Sequence, residues 1–134
     1  MSSISKLSIF IFLGIICSID IIGQLNPKYV AQVGSKQSGH MFKGEFLAQQ
    51  GVGGLKKFSA THWEPIHVDS FQILVLRDTS LVFRYSNKGN LFEEKLKVLL
   101  KKLMINDRIL IYDIYASDVG SIKVSLSPLE YKIE

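Results

Sequence analysis

Short segments in which apolar residues either alternate with polar ones or follow one another recur along this chain, a pattern that is typical of β-strands. The clearest strand is the segment 67–76, where bulky apolar residues fall on both faces, as in a strand buried on two sides. After the short connection 77–80, a second strand is predicted over 81–85, and the two segments together predict a β-hairpin. Further strands are predicted at 29–33, 108–116, 122–126 and 129–133.

Two stretches between these strands are less regular. The segment 40–49 alternates weakly and is interpreted as extended, whereas the segment from Phe58 to Pro65 is interpreted as irregular. The glycines at 51, 53 and 54 indicate a bend or a bulge. A phosphate-binding loop would need a helix and a Gly-Lys-Ser/Thr sequence after the glycines, and neither follows here.

One helix is predicted after Gly89. Asn90 is the candidate N-cap, and Glu93 three residues later completes a capping box. Apolar residues then recur at helical spacing in Phe92, Leu96, Leu99 and Leu103. The fold class is therefore mainly β, a β-sandwich-like arrangement of six to seven strands, with one amphipathic α-helix covering the sheet.

The first 23 residues have the pattern of a secretory signal peptide. Lys6 precedes an apolar run over residues 7–16, which is shorter than the roughly 20 residues that cross a bilayer. Cleavage near Gly23 would remove Cys17, the single cysteine of the chain. We therefore expect one domain over 24–134, periplasmic or secreted, with no membrane insertion after the leader is removed.

Composition and charge narrow the possible partners. The chain has 134 residues with 16 Lys and Arg against 12 Asp and Glu, a net charge of +4. Its basic residues are scattered and do not form a stripe with interleaved aromatics, which argues against a nucleic-acid partner. Neither a glycine-flanked nucleophilic serine nor a His-Glu-x-x-His motif is present, so we expect a non-enzymatic protein without a cofactor.

The residue types that bind zinc occur close together at His62, Glu64 and His67. On a strand, residues two apart share a face and residues five apart do not, and Pro65 prevents a helix that would align the two histidines. A secreted metal-binding domain or metal-dependent enzyme that uses these three residues is the alternative hypothesis. A small ligand-binding β-domain with an apolar pocket is a third.

An ordered set of short motifs resembles the C-terminal domain of the GldM family, called PorM in its non-gliding relatives. The motifs are Val33-Gly-x-Lys36-x-x-Gly39, Ala48-Gln-x-Gly51-Val52, Phe58, Val68-x-Ser70-Phe71, Leu99-x-Lys-x-Leu103, Ile114-Tyr-Ala116 and Leu126-x-Pro-Leu-x-Tyr-Lys-Ile133. The family belongs to the gliding-motility and type IX secretion machinery of Bacteroidota. In the family this module ends an inner-membrane-anchored protein, whereas here we expect a signal peptide before it.

The resemblance implies an exported module that binds protein partners in the cell envelope, with a homodimer as one arrangement, and it brings no catalytic residue. We predict partner contacts at Lys36, Trp63 and His67, since loops and an exposed tryptophan are common interface anchors. Tyr112 and Tyr115, three residues apart on one strand, are expected on opposite faces.

Overall fold

The computed structural model describes residues 28–134, which form eight β-strands and two short α-helices. The strands are β1 (Tyr29–Gln32), β2 (Gly39–Met41), β3 (Gly53–Ser59), β4 (His62–Arg77), β5 (Ser80–Lys88), β6 (Arg108–Asp118), β7 (Ile122–Leu126) and β8 (Leu129–Ile133). The helices are α1 (Lys43–Leu47) and α2 (Glu94–Leu100). The predicted mainly β class with one amphipathic helix is confirmed, the helix being α2, and the five-residue α1 is an addition to the prediction. The predicted signal peptide, residues 1–23, lies outside the described residues.

The two longest strands, β4 and β6, pair antiparallel at the centre of one curled sheet. Because β4 has 16 residues, its first half pairs with β3 and its second half pairs with β5. In the same way β6 pairs with β8 near its start and with β7 near its end. The path through the sheet is β1-β3-β4-β6-β8-β2, and β2 joins β8 in parallel.

The inner face of the sheet carries the main core. Phe71 of β4 and Ile111 of β6 are fully buried there, and both helices pack over them through Phe46 and Leu96. A smaller group of Leu74, Leu76 and Leu110 is buried on the opposite face, since alternate residues of a strand point to opposite sides. The helical layer therefore covers the inner face, as the sequence predicts.

The strand count differs from the prediction because polar segments also join the sheet. The segment 58–65, interpreted as irregular, forms the hairpin of β3 and β4, whose pairing runs from Gly54 opposite Ile66 to Ser59 opposite His62. The segment 40–49 is not one extended stretch, since it contains the end of β2 and then α1. The sheet therefore has eight strands within residues 28–134, not six to seven.

The start of α2 also differs from the prediction. Asn90 does not cap the helix, which begins at Glu94 with Glu93 at the N-cap position. The side-chain oxygen of Asn87 accepts a hydrogen bond from the Glu93 amide at 2.9 Å, and the Glu93 carboxylate accepts one from the Lys88 amide at 2.8 Å. These two hydrogen bonds resemble a capping box, but the side chain that accepts from the Glu93 amide is Asn87, at the end of β5.

A bulge in β6 reverses the expectation for its two tyrosines. Tyr112 lies opposite Gln72 and Tyr115 lies opposite Ser70, so two residues of β6 face the single residue Phe71. Asp113 takes a positive φ of 46° at this point. Because Ser70 and Gln72 share one face of β4, both tyrosines lie on that face and not on opposite faces.

Candidate interaction surface

The structure places Lys36 in a tight turn that holds β8. The Lys36 carbonyl accepts a hydrogen bond from the Tyr131 hydroxyl at 2.6 Å, and that hydroxyl accepts one from the Val33 amide at 3.0 Å. Burial raises the pKa of Tyr131. The Lys36 ammonium donates to the carbonyl of His40 at 2.8 Å and lies 3.6 Å from Glu45. These contacts give Lys36 a structural role in the turn.

Trp63 and His67 lie on the first half of β4, apart from the contacts of Lys36. Trp63 is half-buried opposite Lys57, whose ammonium lies 5.9 Å from the centre of the indole ring. His67 is exposed, with Nε2 3.8 Å from Oδ1 of Asp69. The structure therefore does not bring the three predicted contact residues into one surface.

Ser117 shares the Asp69 carboxylate with His67. The Ser117 hydroxyl donates to Oδ2 of Asp69 at 2.6 Å. The carboxylate thus lies between the hydroxyl and the imidazole, whereas activation of a serine needs the imidazole next to the hydroxyl. The Ser117 hydroxyl therefore contacts a carboxylate and not an imidazole.

The residues of the metal hypothesis are only partly brought together. Nε2 of His62 lies 3.1 Å from Oε1 of Glu64, because residues two apart on β4 share a face. His67 contacts Asp69 instead. Within residues 28–134, no group of three or more His, Cys, Asp or Glu side chains is arranged to hold a metal ion.

Asp107 anchors the loop after α2. Its buried carboxylate receives two hydrogen bonds from Arg77, at 2.9 and 3.0 Å, and a third from the Met104 amide at 2.8 Å. Burial by itself would raise the pKa of Asp107, but these bonds outweigh it and hold that pKa below its ordinary value. Arg77 also donates to the carbonyl of Lys102 at 3.2 Å, so the β4–β5 hairpin fixes the loop.

This fixed loop exposes Met104 and Ile105, and Phe42, which precedes α1, is exposed at the same end of β8; these three apolar residues are named the tip patch. The side chains of Phe42, Met104 and Ile105 are 64%, 55% and 70% exposed. Next to Phe42, the Met41 carbonyl accepts a hydrogen bond from the Glu134 amide at 3.0 Å. Next to Ile105, the Asn106 amide donates to the Ile133 carbonyl of β8 at 2.7 Å. The two segments therefore emerge at the same end of β8.

A groove, the helix groove, adjoins the tip patch between α1 and α2. The Lys43 ammonium donates to the Lys101 carbonyl at 2.9 Å where α1 begins and α2 ends. The groove has a volume of about 140 Å³ and is lined by Leu47, Gln49, Phe92, Lys97, Leu100 and Lys101. It combines an apolar floor with lysines at its rim.

Sequence reasoning missed both surfaces for a physical reason. Phe42 lies in the segment 40–49, whose sequence pattern is interpreted as extended, and Met104 directly follows Leu103, the last residue of the predicted apolar stripe. The helix instead ends at Leu100, and Asn106 adopts a positive φ of 73° in the loop that follows. The available signal in the sequence was the run of three apolar residues Leu103-Met104-Ile105, since neighbouring residues of a helix do not share one face. In the structure only Leu103 of this run is buried.

No known protein-family model matches the chain, and no significant match was found among curated proteins. None of the helices within residues 28–134 has the length and apolar character needed to cross a membrane.

Proposed function

We propose that the chain is an exported, non-enzymatic protein-interaction module that resembles the C-terminal domain of GldM. In this proposal it acts in the periplasm or at the cell exterior, as an accessory of the gliding and type IX secretion machinery. The observation that carries the interaction role is the tip patch, three large apolar side chains that are each more than half exposed. Large apolar side chains exposed together at one end of a sheet are typical of a surface that contacts another protein.

A second copy of the chain is one candidate partner. Among the described strands, β5 pairs with β4 alone, so one edge of this nine-residue strand has no partner strand within residues 28–134. An unpaired edge can add a strand from another chain through main-chain hydrogen bonds. A homodimer formed in this way would leave the tip patch free for an envelope protein.

Capture from the envelope fraction of the native cell tests the proposal. We expect the immobilised chain to retain a defined protein, and Phe42→Ser with Ile105→Ser to lose it. The matched control is Val119→Ser with Ile122→Ser, which removes two exposed apolar residues at 80% and 62% exposure elsewhere. If neither another protein nor a second copy of the chain is retained, the proposal is wrong.

A further inference from the structure

We propose that the helix groove binds one apolar side chain flanked by carboxylates on a partner protein. This inference rests on the proposed function and names the chemistry of the partner. It is carried by the size of the groove, by its apolar floor and by the charge at its rim.

The groove has the size of a side-chain pocket. Phe92 and Leu100 form a floor that is nearly buried, and Leu47 of α1 forms one wall at 39% exposure. Pockets for small-molecule ligands and cofactors measure about 300–1,000 Å³. At about 140 Å³, this groove is too small for such a molecule and suits a single large apolar residue. Interface anchors are side chains of this kind.

The floor of the groove is also held in place at both ends. The Phe92 amide donates to the carbonyl of Gln50 at 2.8 Å, and the Phe92 ring stacks on Phe46 of α1 with centroids 5.9 Å apart. At the other end, Lys43 bonds to the last turn of α2. A groove between anchored helices is preformed, so a ligand need not order it on binding.

The rim of the groove is positively charged. The Lys43 ammonium contacts a neutral carbonyl, and the Lys101 ammonium forms no ion pair with a carboxylate in the described part of the chain. Lys97 lies 3.3 Å from Glu94, but this pair is exposed, and exposed pairs contribute little. Of the two lysines that line the groove, Lys97 has this exposed partner and Lys101 has no carboxylate partner within residues 28–134, so the rim carries net positive charge that complements an acidic segment.

The remaining acidic residue of α1 does not neutralise this rim. Glu45 pairs with Lys36 at 3.6 Å. Two residues apart on a helix, Glu45 and Leu47 point in widely different directions, so Glu45 lies away from the groove wall. The positive charge of the rim, which Glu45 does not neutralise, therefore lies on the groove side of the two helices.

Titration of the purified chain with peptides, followed by amide NMR, tests the inference. The probe is the blocked peptide Gly-Asp-Phe-Glu-Gly, and we expect it to shift the amide signals of Leu47, Phe92 and Lys101. Two matched peptides, Gly-Asn-Phe-Gln-Gly and Gly-Asp-Ala-Glu-Gly, each lack one half of the recognised chemistry. Each should bind about tenfold more weakly, since it loses either the ion contacts or the buried ring.

Charge variants on one helix supply the second arm. Lys97→Gln with Lys101→Gln should weaken binding of the acidic peptide about tenfold and remove most of its salt dependence. Lys95→Gln with Lys102→Gln removes the same charge from the opposite side of the helix and should leave binding unchanged. Equal effects of the two double variants, or no binding of the acidic peptide, would overturn the inference.

The two proposals fail in different ways. If the tip patch is needed to capture an envelope protein but the groove variants capture it normally, the groove inference is wrong and the interaction role stands. If the acidic peptide binds the groove but no envelope protein is captured, the groove chemistry stands and the proposed function fails.

Discussion

The buried carboxylate of Asp107 shows how one residue can hold a loop and a hairpin together. Its three hydrogen bonds stabilise the ionised form, so its pKa is lower in the folded chain than in the unfolded chain. A lowered pKa contributes stability above the ordinary aspartate value, and this contribution is lost as pH falls through the folded value. The residue therefore links the position of the tip patch to pH.

We expect Asp107→Asn to lower the free energy of unfolding by about 2–3 kcal/mol at neutral pH, measured by urea denaturation. The loss is smaller than for a fully buried pair because the Arg77 side chain is 39% exposed, so water can hydrate its charge. The difference from the unmodified chain should shrink as pH falls through the lowered pKa of Asp107, because both chains then carry an uncharged side chain.

Asp113→Asn is the matched control for Asp107→Asn. It makes the same chemical change at an exposed position, and asparagine tolerates the positive φ found there. Its effect on stability should stay within about 0.5 kcal/mol. A pH-independent loss in Asp107→Asn would contradict the assigned role of the carboxylate.

At the scale of elements, a close approach of two backbone segments sets the position of α2. Gly51 pairs with Leu91 in an isolated bridge, and the Val52 amide donates to the Asn90 carbonyl at 2.8 Å. A Cβ atom added at Gly51 would overlap the carbonyl oxygen of Asn90. The segment before α2 therefore lies against the lead-in to β3 only because residue 51 has no side chain.

Gly51→Ala should cost about 1–3 kcal/mol of unfolding free energy, because the backbone must move to relieve the overlap. Gly53→Ala is the control, since the nearest atom to its added Cβ is a Gln32 side-chain carbon at 3.8 Å. Thermal unfolding of both variants measures the difference. Equal midpoints would show that the bridge does not position the helix.

The predictable elements are those whose own residues carry the pattern. The β4–β5 hairpin and the strand β6 follow from the residue pattern of their own segments, and their residues Phe71, Ile73 and Ile111 are fully buried. Leu99 belongs to the predicted apolar stripe of the helix but is half-buried, because the helix is shorter than predicted and its buried residues are Leu96 and Leu100. Local periodicity cannot fix the rotation of a helix about its axis.

The elements that were missed depend on distant partners. β3 contains two glycines and two lysines, and its strand conformation comes from pairing with β1 and β4. The cap of α2 comes from the Asn87 side chain, which accepts a hydrogen bond from the amide of Glu93, six residues later in the chain. The candidate surfaces share this dependence, since both join segments that lie far apart in the sequence. A pattern within one segment cannot show such contacts.

At the scale of the whole molecule, one ionic contact closes the curl of the sheet. Oδ2 of Asp118, at the end of β6, lies 2.8 Å from the Lys56 ammonium of β3 and accepts a hydrogen bond from the Tyr29 hydroxyl of β1 at 2.8 Å. These contacts connect the far edge of the sheet back to its central strand. The Lys56 ammonium, with help from the Val119 amide and Tyr29, lowers the pKa of Asp118 to about 2.

The closure should therefore persist well below the pH at which ordinary aspartates lose their charge. Its contribution is complete above the unfolded value of 3.8 and is lost as pH falls through about 2. An NMR titration of the Val119 amide, which donates to Asp118 Oδ1 at 2.7 Å, should give a midpoint near 2. In Asp118→Asn this transition should vanish, and the β1 amides should exchange several times faster while those of β4 and β6 keep their protection. A midpoint near the ordinary aspartate value would mean that β1 is held by its pairing with β3 alone, and uniform acceleration across all strands would mean that the contact does not act on β1 in particular.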